Sequence, residues 1–142
     1  MKEISFFIDG EPQAWQRPKT RLVNGYVQHY SPAETKKYEK KIADTYKQLN
    51  DAPFFEKGTP IHVSIHFEMA IPQSLSKKKR YMMCTGEILH TKRPDVDNMA
   101  KAVIDGLNGV AWGDDSQIVS LNLRKRYSVS PSVWVHIREE IE

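Results

Sequence analysis

The stretch "IHVSIHFEMA" at 61–70 constrains the fold more than any other. Ile61, Val63, Ile65, Phe67 and Met69 alternate strictly with their neighbours. Successive side chains of an extended chain point to opposite faces, so the spacing predicts a half-buried strand. Two helical patterns flank it. In "SPAETKKYEKKIADTYKQLN" (31–50), Tyr38, Ile42, Tyr46 and Leu49 form a narrow apolar stripe with lysines on the outer face. Ser31 is a fitting N-cap there, Pro32 suits the first helical position, and Glu34 completes a capping box. From about Asp97 a second pattern sets Met99, Val103, Leu107 and Val110 on one face and Asn98, Lys101, Asp105 and Asn108 on another. Asn108–Gly109 supplies its stop.

The other segments are shorter. "EISFFIDG" (3–10) is a strand ending at a glycine turn. Asn24–Gly25, between "RLV" and "YVQHY", predicts a small hairpin at 20–30, because both central residues of a type I′ turn need positive φ. Residues 74–94 open with a short capped helix and end as an extended approach to Pro94, which disfavours a helical Arg93. "QIVSLNLRKRYS" and "SVWVHIREEI" are two strands joined by a turn at 128–132. No repeat, low-complexity tract or linker interrupts the 142 residues. The expectation is one α/β domain of the α+β kind, residues 1–142, with a mixed, mainly antiparallel sheet and about three helices.

Composition excludes several classes. No apolar run approaches the ~20 residues a membrane helix needs, and no membrane association is expected. "MKEISFFIDGEP" has neither a long apolar core nor a small-residue cleavage site, so no signal peptide is expected. The single cysteine, Cys84, makes no internal disulfide, suits a reducing cytoplasm and rules out a cysteine-based zinc site. It is expected to be a plain, partly buried thiol. The net charge of +3 is mildly basic, so the placement of charge matters more than its sum.

The placement of the acids is unusual. Asp95 lies on the approach to the second helix and Asp97 at or near its N-cap. Lys101 lies one turn inside, on the face of Asp97, and Asp114 and Asp115 lie in the following loop. Folding the helix back on the sheet could bring that loop near Asp95 and Asp97. Hard divalent cations bind through a few carboxylates plus water and phosphate oxygens. Such an ion activates water and neutralises charge on a phosphodiester. Crowded carboxylates repel one another, and a bound cation removes that penalty. Lys101 could then donate to a phosphate oxygen or the leaving group. Structural roles compete with this reading, and on spacing alone they are the commoner outcome. They are Asp97 as a cap, Asp97–Lys101 as a surface pair, and Asp114–Asp115 as turn chemistry.

"KRPDVDNMAKAVIDGLNG" followed by "WGDDSQI" resembles the RusA family of Holliday junction resolvases, often encoded by phages and prophages. Asp95, Asp97, Asn98, Lys101, Asp105, Leu107, Asn108, Gly109, Asp114, Asp115, Gln117 and Ile118 fit its pattern. "FFIDGEPQAWQRPKTR" and "YSPAETKKYE" extend the likeness, more weakly, over most of the chain. The resemblance implies a RusA-like fold and a dimeric, magnesium-dependent endonuclease, with manganese as a substitute. Its substrate would be four-way DNA junctions, cut by paired symmetric nicks. It implies Asp95, Asp97 and Asp115 as metal-binding acids, with Asp114 the competitor for the third place, and Lys101 as the catalytic lysine. Asp105 is expected to support the ligands rather than be one. Nucleases preferring flaps or forks, and a module that holds branched DNA without cutting, are the rivals.

Arg17, Lys19 and Arg21, with Lys92 and Arg93, are the candidate DNA-binding residues. Lys77–Arg80 and Arg124–Arg126 are further basic groups, each most simply a solvated face. Trp15, beside "RPKTR", is expected to pack on the sheet, with stacking on an unpaired base as the alternative. Trp112 is expected to anchor the acidic loop, and Trp134 to pack in the core or at its edge. His62 and His66 fall on the polar face of their strand, solvated or touching another element.

Overall fold

The computed structural model describes residues 1–30 and 32–141. The elements are β1 (Glu3–Asp9), β2 (Lys19–Val23), β3 (Tyr26–Tyr30), α1 (Ala33–Lys47), β4 (Ile61–Ala70), α2 (Lys77–Cys84), α3 (Val96–Leu107), β5 (Ile118–Ser128) and β6 (Ser132–Glu139). A 3-10 turn, Asp115–Gln117, leads into β5. The main sheet runs β1-β6-β4-β5, with β4–β5 parallel and the other two pairings antiparallel. This is the expected mixed, mainly antiparallel sheet with three helices. No helix among the described residues is long and apolar enough to cross a membrane.

The alternation at 61–69 does what it predicts. Ile61, Val63, Ile65, Phe67 and Met69 are all buried. Register extends their face across the sheet: Phe67 lies beside Val133 and Ile65 beside Val135, which in turn face Ile8 and Phe6. Helix α1 closes on this core with Tyr38, Ile42 and Tyr46, and α3 with Met99, Val103 and Leu107. Each such side chain contributes about 1.5–3 kcal/mol when fully buried. The two helices meet at Gly106. A Cβ there would lie 3.0 Å from Ile42 and 3.1 Å from the Glu39 carbonyl, so a side chain would push them apart.

The strand order is a finding of the structure, and three expectations need correction. The 128–132 turn joins β5 to β6, but β4 lies between them and pairs with both. The connection steps past the end of β4, and the long-range fit of that apolar strand decides the order. Helix α1 starts at Ala33 with Pro32 as N-cap, one position before its expected place, and Ser31 falls outside the described residues. Cys84 is exposed, because the last turn of α2 buries Met83 instead. Strand alternation sends Trp134 to the face opposite Val133 and Val135, where its ring lies 4.7 Å from His66 and 5.8 Å from His136. On that same helix-free face His62 hydrogen-bonds the Ser64 and Ser120 hydroxyls at 2.9 and 2.7 Å.

Candidate active site

Helix α3 starts at Val96, so Asp95 takes the N-cap and Asp97 is the second helical residue, two places inside the cap. The Asp95 carboxylate makes no capping hydrogen bond. Both acids are exposed, and among the described residues neither side chain has a hydrogen-bond or ion-pair partner. The positive end of the helix dipole favours acidic groups in this turn. A long-range clamp fixes the strap that delivers Asp95. The Lys125 ammonium donates to the carbonyls of Lys92 at 2.6 Å and Pro94 at 3.0 Å. Asp95 then lines a groove of about 370 Å³ with Ala14, Arg93, Pro94 and Asn98.

Lys101 does not pair with Asp97. Its ammonium lies 3.9 Å from Asp105 and 4.6 Å from the centre of the Trp15 ring. An ammonium over an indole face is attracted by the ring quadrupole. The Trp15 backbone N–H donates to the Asn98 carbonyl at 3.0 Å. Trp15 is thus tied to α3 and partly buried against the core, because the chain between β1 and β2 reaches the start of that helix.

The acidic loop is built differently. Trp112 is fully buried, as an anchor should be, and its indole N–H donates to Asp115 Oδ1 at 2.8 Å. Buried Gln117 accepts from the N–H groups of Gly113 and Asp114 at 2.8 and 2.9 Å. Its amide nitrogen donates to the carbonyls of Phe55, Glu56 and Thr59 within 3.2 Å. Asp114 is occupied as a cap, accepting from the Ser116 N–H at 3.0 Å and from the Ser116 hydroxyl. Those bonds hold its carboxyl below the usual range. Asp115 has one oxygen engaged by the indole, and among the described residues its second oxygen has no hydrogen-bond partner.

Across these elements, the profile of the endodeoxyribonuclease RusA family matches residues 9–138. The chain belongs to the RusA endodeoxyribonuclease family. It is 37% identical over 136 residues to the uncharacterized protein YqaN of Bacillus subtilis, covering 96% of each chain. It is 30% identical over 138 residues to the crossover junction endodeoxyribonuclease rusA of Lactococcus phage r1t, covering 96% of this chain and 97% of the phage protein.

In this RusA-family chain the electrostatics centre on Asp105. Burial raises its pKa, and the Asp115 charge adds to that while Lys101 opposes it. Burial likewise raises Glu39 on α1, with Asp105 adding. The acids therefore fall into two zones. Asp105 and Asp115 share a field with Lys101, and Asp95 and Asp97 stand at the start of α3. Among the described residues, no three His, Cys, Asp or Glu side chains converge closely enough to hold an ion. The expected closure of the loop onto both N-terminal acids is thus not drawn tight. The donor chemistry still fits a hard cation, since all the candidate donors are carboxylate oxygens and those of Asp95 and Asp97 are unengaged. Magnesium commonly takes one or two protein carboxylates and completes its shell with water and phosphate.

Arg17, Lys19, Arg21, Lys92 and Arg93 are all exposed. The Arg21 guanidinium reaches across its hairpin to Gln28 Oε1 at 2.8 Å. Arg126, by contrast, is bound to both oxygens of Glu68 at 3.0 Å.

Proposed function

We propose that this RusA-family chain is a magnesium-dependent Holliday junction resolvase, acting as a cytoplasmic homodimer. The observation that carries the reading is the pair of unengaged carboxylates, Asp95 and Asp97, on the same helix as Lys101. The name of the phage relative, a crossover junction endodeoxyribonuclease, supports the substrate. Asp95 and Asp97 would hold magnesium, or manganese as a substitute, together with water and substrate phosphate, and Asp115 would be the third acid once the loop closes on the bound ion. When bound, the ion supplies positive charge to the phosphodiester transition state and lowers the pKa of water.

The chain's own residues do the rest. The Trp112 indole orients Asp115 by engaging one of its oxygens. Lys101, held between Trp15 and Asp105, donates to a non-bridging or leaving oxygen as negative charge grows there. Lys125 keeps the Lys92–Pro94 strap in place, so Asp95 and Arg93 face the same groove. Arg17, Lys19, Arg21, Lys92 and Arg93 hold phosphates, which sets position without reading sequence. That suits a substrate recognised by shape. A twofold dimer matches the approximate twofold symmetry of a four-way junction and presents one site to each scissile phosphate.

The test is a gel assay on a synthetic four-way junction, with linear duplex, flap and fork DNA alongside. Paired symmetric nicks in the junction, lost with a chelator, are expected. Cutting confined to flaps or forks would replace the substrate assignment. Tight junction binding without cutting in magnesium or manganese would leave a binding module.

A further inference from the structure

Among the described residues, strands β2 and β3 pair only with each other. The turn residues Asn24 and Gly25 have φ of 50° and 81°, the type I′ geometry expected. Every residue from Lys19 to His29 is exposed. Register places Lys19, Arg21, Val23, Tyr26 and Gln28 on one face of the ribbon, and Thr20, Leu22, Val27 and His29 on the other. Around the turn, Leu22 is 76% exposed, Tyr26 78% and Val27 64%. A lone hairpin is marginal in water, and a clustered apolar tip facing solvent marks a contact surface.

The chemistry is graded along the ribbon. Cations stand at the root, with Arg17 just before Lys19 and Arg21, and apolar groups stand at the tip. The root also adjoins the candidate active site. Ala14 lines the Asp95 groove, and Trp15 bonds α3 and faces Lys101. DNA held in that groove therefore meets the ribbon. Its phosphates match the root cations. Apolar tip residues gain most where base pairs are open or easily unstacked, since an inserted wedge buries its surface against base faces. A branch point offers such a place and a continuous duplex does not.

We propose that the β2–β3 ribbon is a wedge for branched DNA. Its root cations hold phosphates, and Leu22, Tyr26 and Val27 insert against base pairs at the crossover. The inference rests on the resolvase reading for its substrate. A four-way junction carrying 2-aminopurine at the crossover, held in chelator to prevent cutting, reports the insertion. Wild type is expected to raise the fluorescence on binding. The combined variant Leu22→Ser, Tyr26→Ser and Val27→Ser should lose most of that rise and weaken junction binding by roughly tenfold, with linear duplex binding nearly unchanged. These side chains are exposed, so its melting temperature should match wild type. Arg17→Ala with Arg21→Ala should weaken junction and duplex alike and flatten the salt dependence. An unchanged fluorescence rise in the tip variant would overturn the wedge. So would a tip variant that sediments as monomer where wild type is a dimer, since the ribbon would then be a subunit arm. A tip-dependent rise in a protein that cuts nothing in magnesium would strike the resolvase reading and leave the wedge standing. Junction cutting with a tip-independent signal would do the reverse.

Discussion

The start of α3 and the 113–117 loop both carry acids, yet the fold treats them in opposite ways. At the start of α3, the Asp95 and Asp97 carboxylates are exposed and have no partner among the described residues. Order there resides in the backbone, through the Lys125 clamp on the strap. In the loop, Asp114 is consumed as a cap, and Asp115 is held by an indole from the core. Gln117 fastens the loop backbone to the segment at 55–59. One zone therefore keeps its carboxylate oxygens available, and the other fixes the direction of a single acid.

This contrast breaks first under substitution of the available pair. Asp95→Asn and Asp97→Asn should each slow junction cutting by roughly 10³-fold, about 4 kcal/mol of lost transition-state stabilisation. Stability should change by less than about 0.5 kcal/mol, as at an exposed site without partners. Single-turnover cleavage beside a thermal melt reads both. Wild-type cutting by either variant would remove these acids from the chemistry. The fixed zone should give the opposite signature. Gln117→Ala removes bonds to five backbone groups and leaves two of them, the Asp114 N–H and the Thr59 carbonyl, without the partner they have, so it should destabilise the fold by roughly 3 kcal/mol in urea unfolding. A loss under 1 kcal/mol would mean that water replaces the amide and that the loop is not locked.

Trp112→Phe separates anchoring from orientation. Phenylalanine keeps most of the apolar volume but removes the N–H that engages Asp115. Cutting should fall about tenfold, as when a partner that orients a ligand is lost. Stability should fall by only about 1–2 kcal/mol. Equal losses in binding and cutting would mean that Trp112 serves packing alone.

The two zones also differ in how far the sequence disclosed them. Periodicity located β4, α1 and α3, because apolar burial writes itself into spacing. The Asn24–Gly25 hairpin was legible for a local reason, the positive φ of its turn. Asp95, Asp97 and Lys101 stood out through their motif, but the partner of Lys101 did not. The spacing offered Asp97, whereas the lysine turns to Asp105 and to Trp15, 86 positions away in sequence. The Lys125 clamp spans more than thirty residues and has no local signature. Gln117 did leave one. Asp114 and Gln117 stand three apart and form a capping box around the 3-10 turn. The strand order had no such trace, because β4 inserts between strands that a short turn makes look adjacent.

The smallest effect tests the field that joins the two zones. Asp105 lies between Lys101 and the Asp115 charge, and burial raises its pKa more than either neighbour shifts it. A carboxyl with a raised folded-state pKa binds its proton more tightly in the native protein. Its ionisation therefore costs stability, and that cost grows as pH rises from the unfolded pKa through the folded one. Asp105→Asn removes the ionisation. The variant should melt slightly above wild type at neutral pH, and the gap should close as pH falls below the ordinary aspartate range. Lys101 also loses its 3.9 Å partner and keeps the Trp15 ring and the Glu39 charge. Cutting should drop a few-fold while stability rises, an exchange expected where function retains an unfavourable charge. Melting curves from acid to neutral pH decide the point. A variant that melts below wild type at neutral pH would show that the Lys101 pairing outweighs burial, and Asp105 would then belong to the framework.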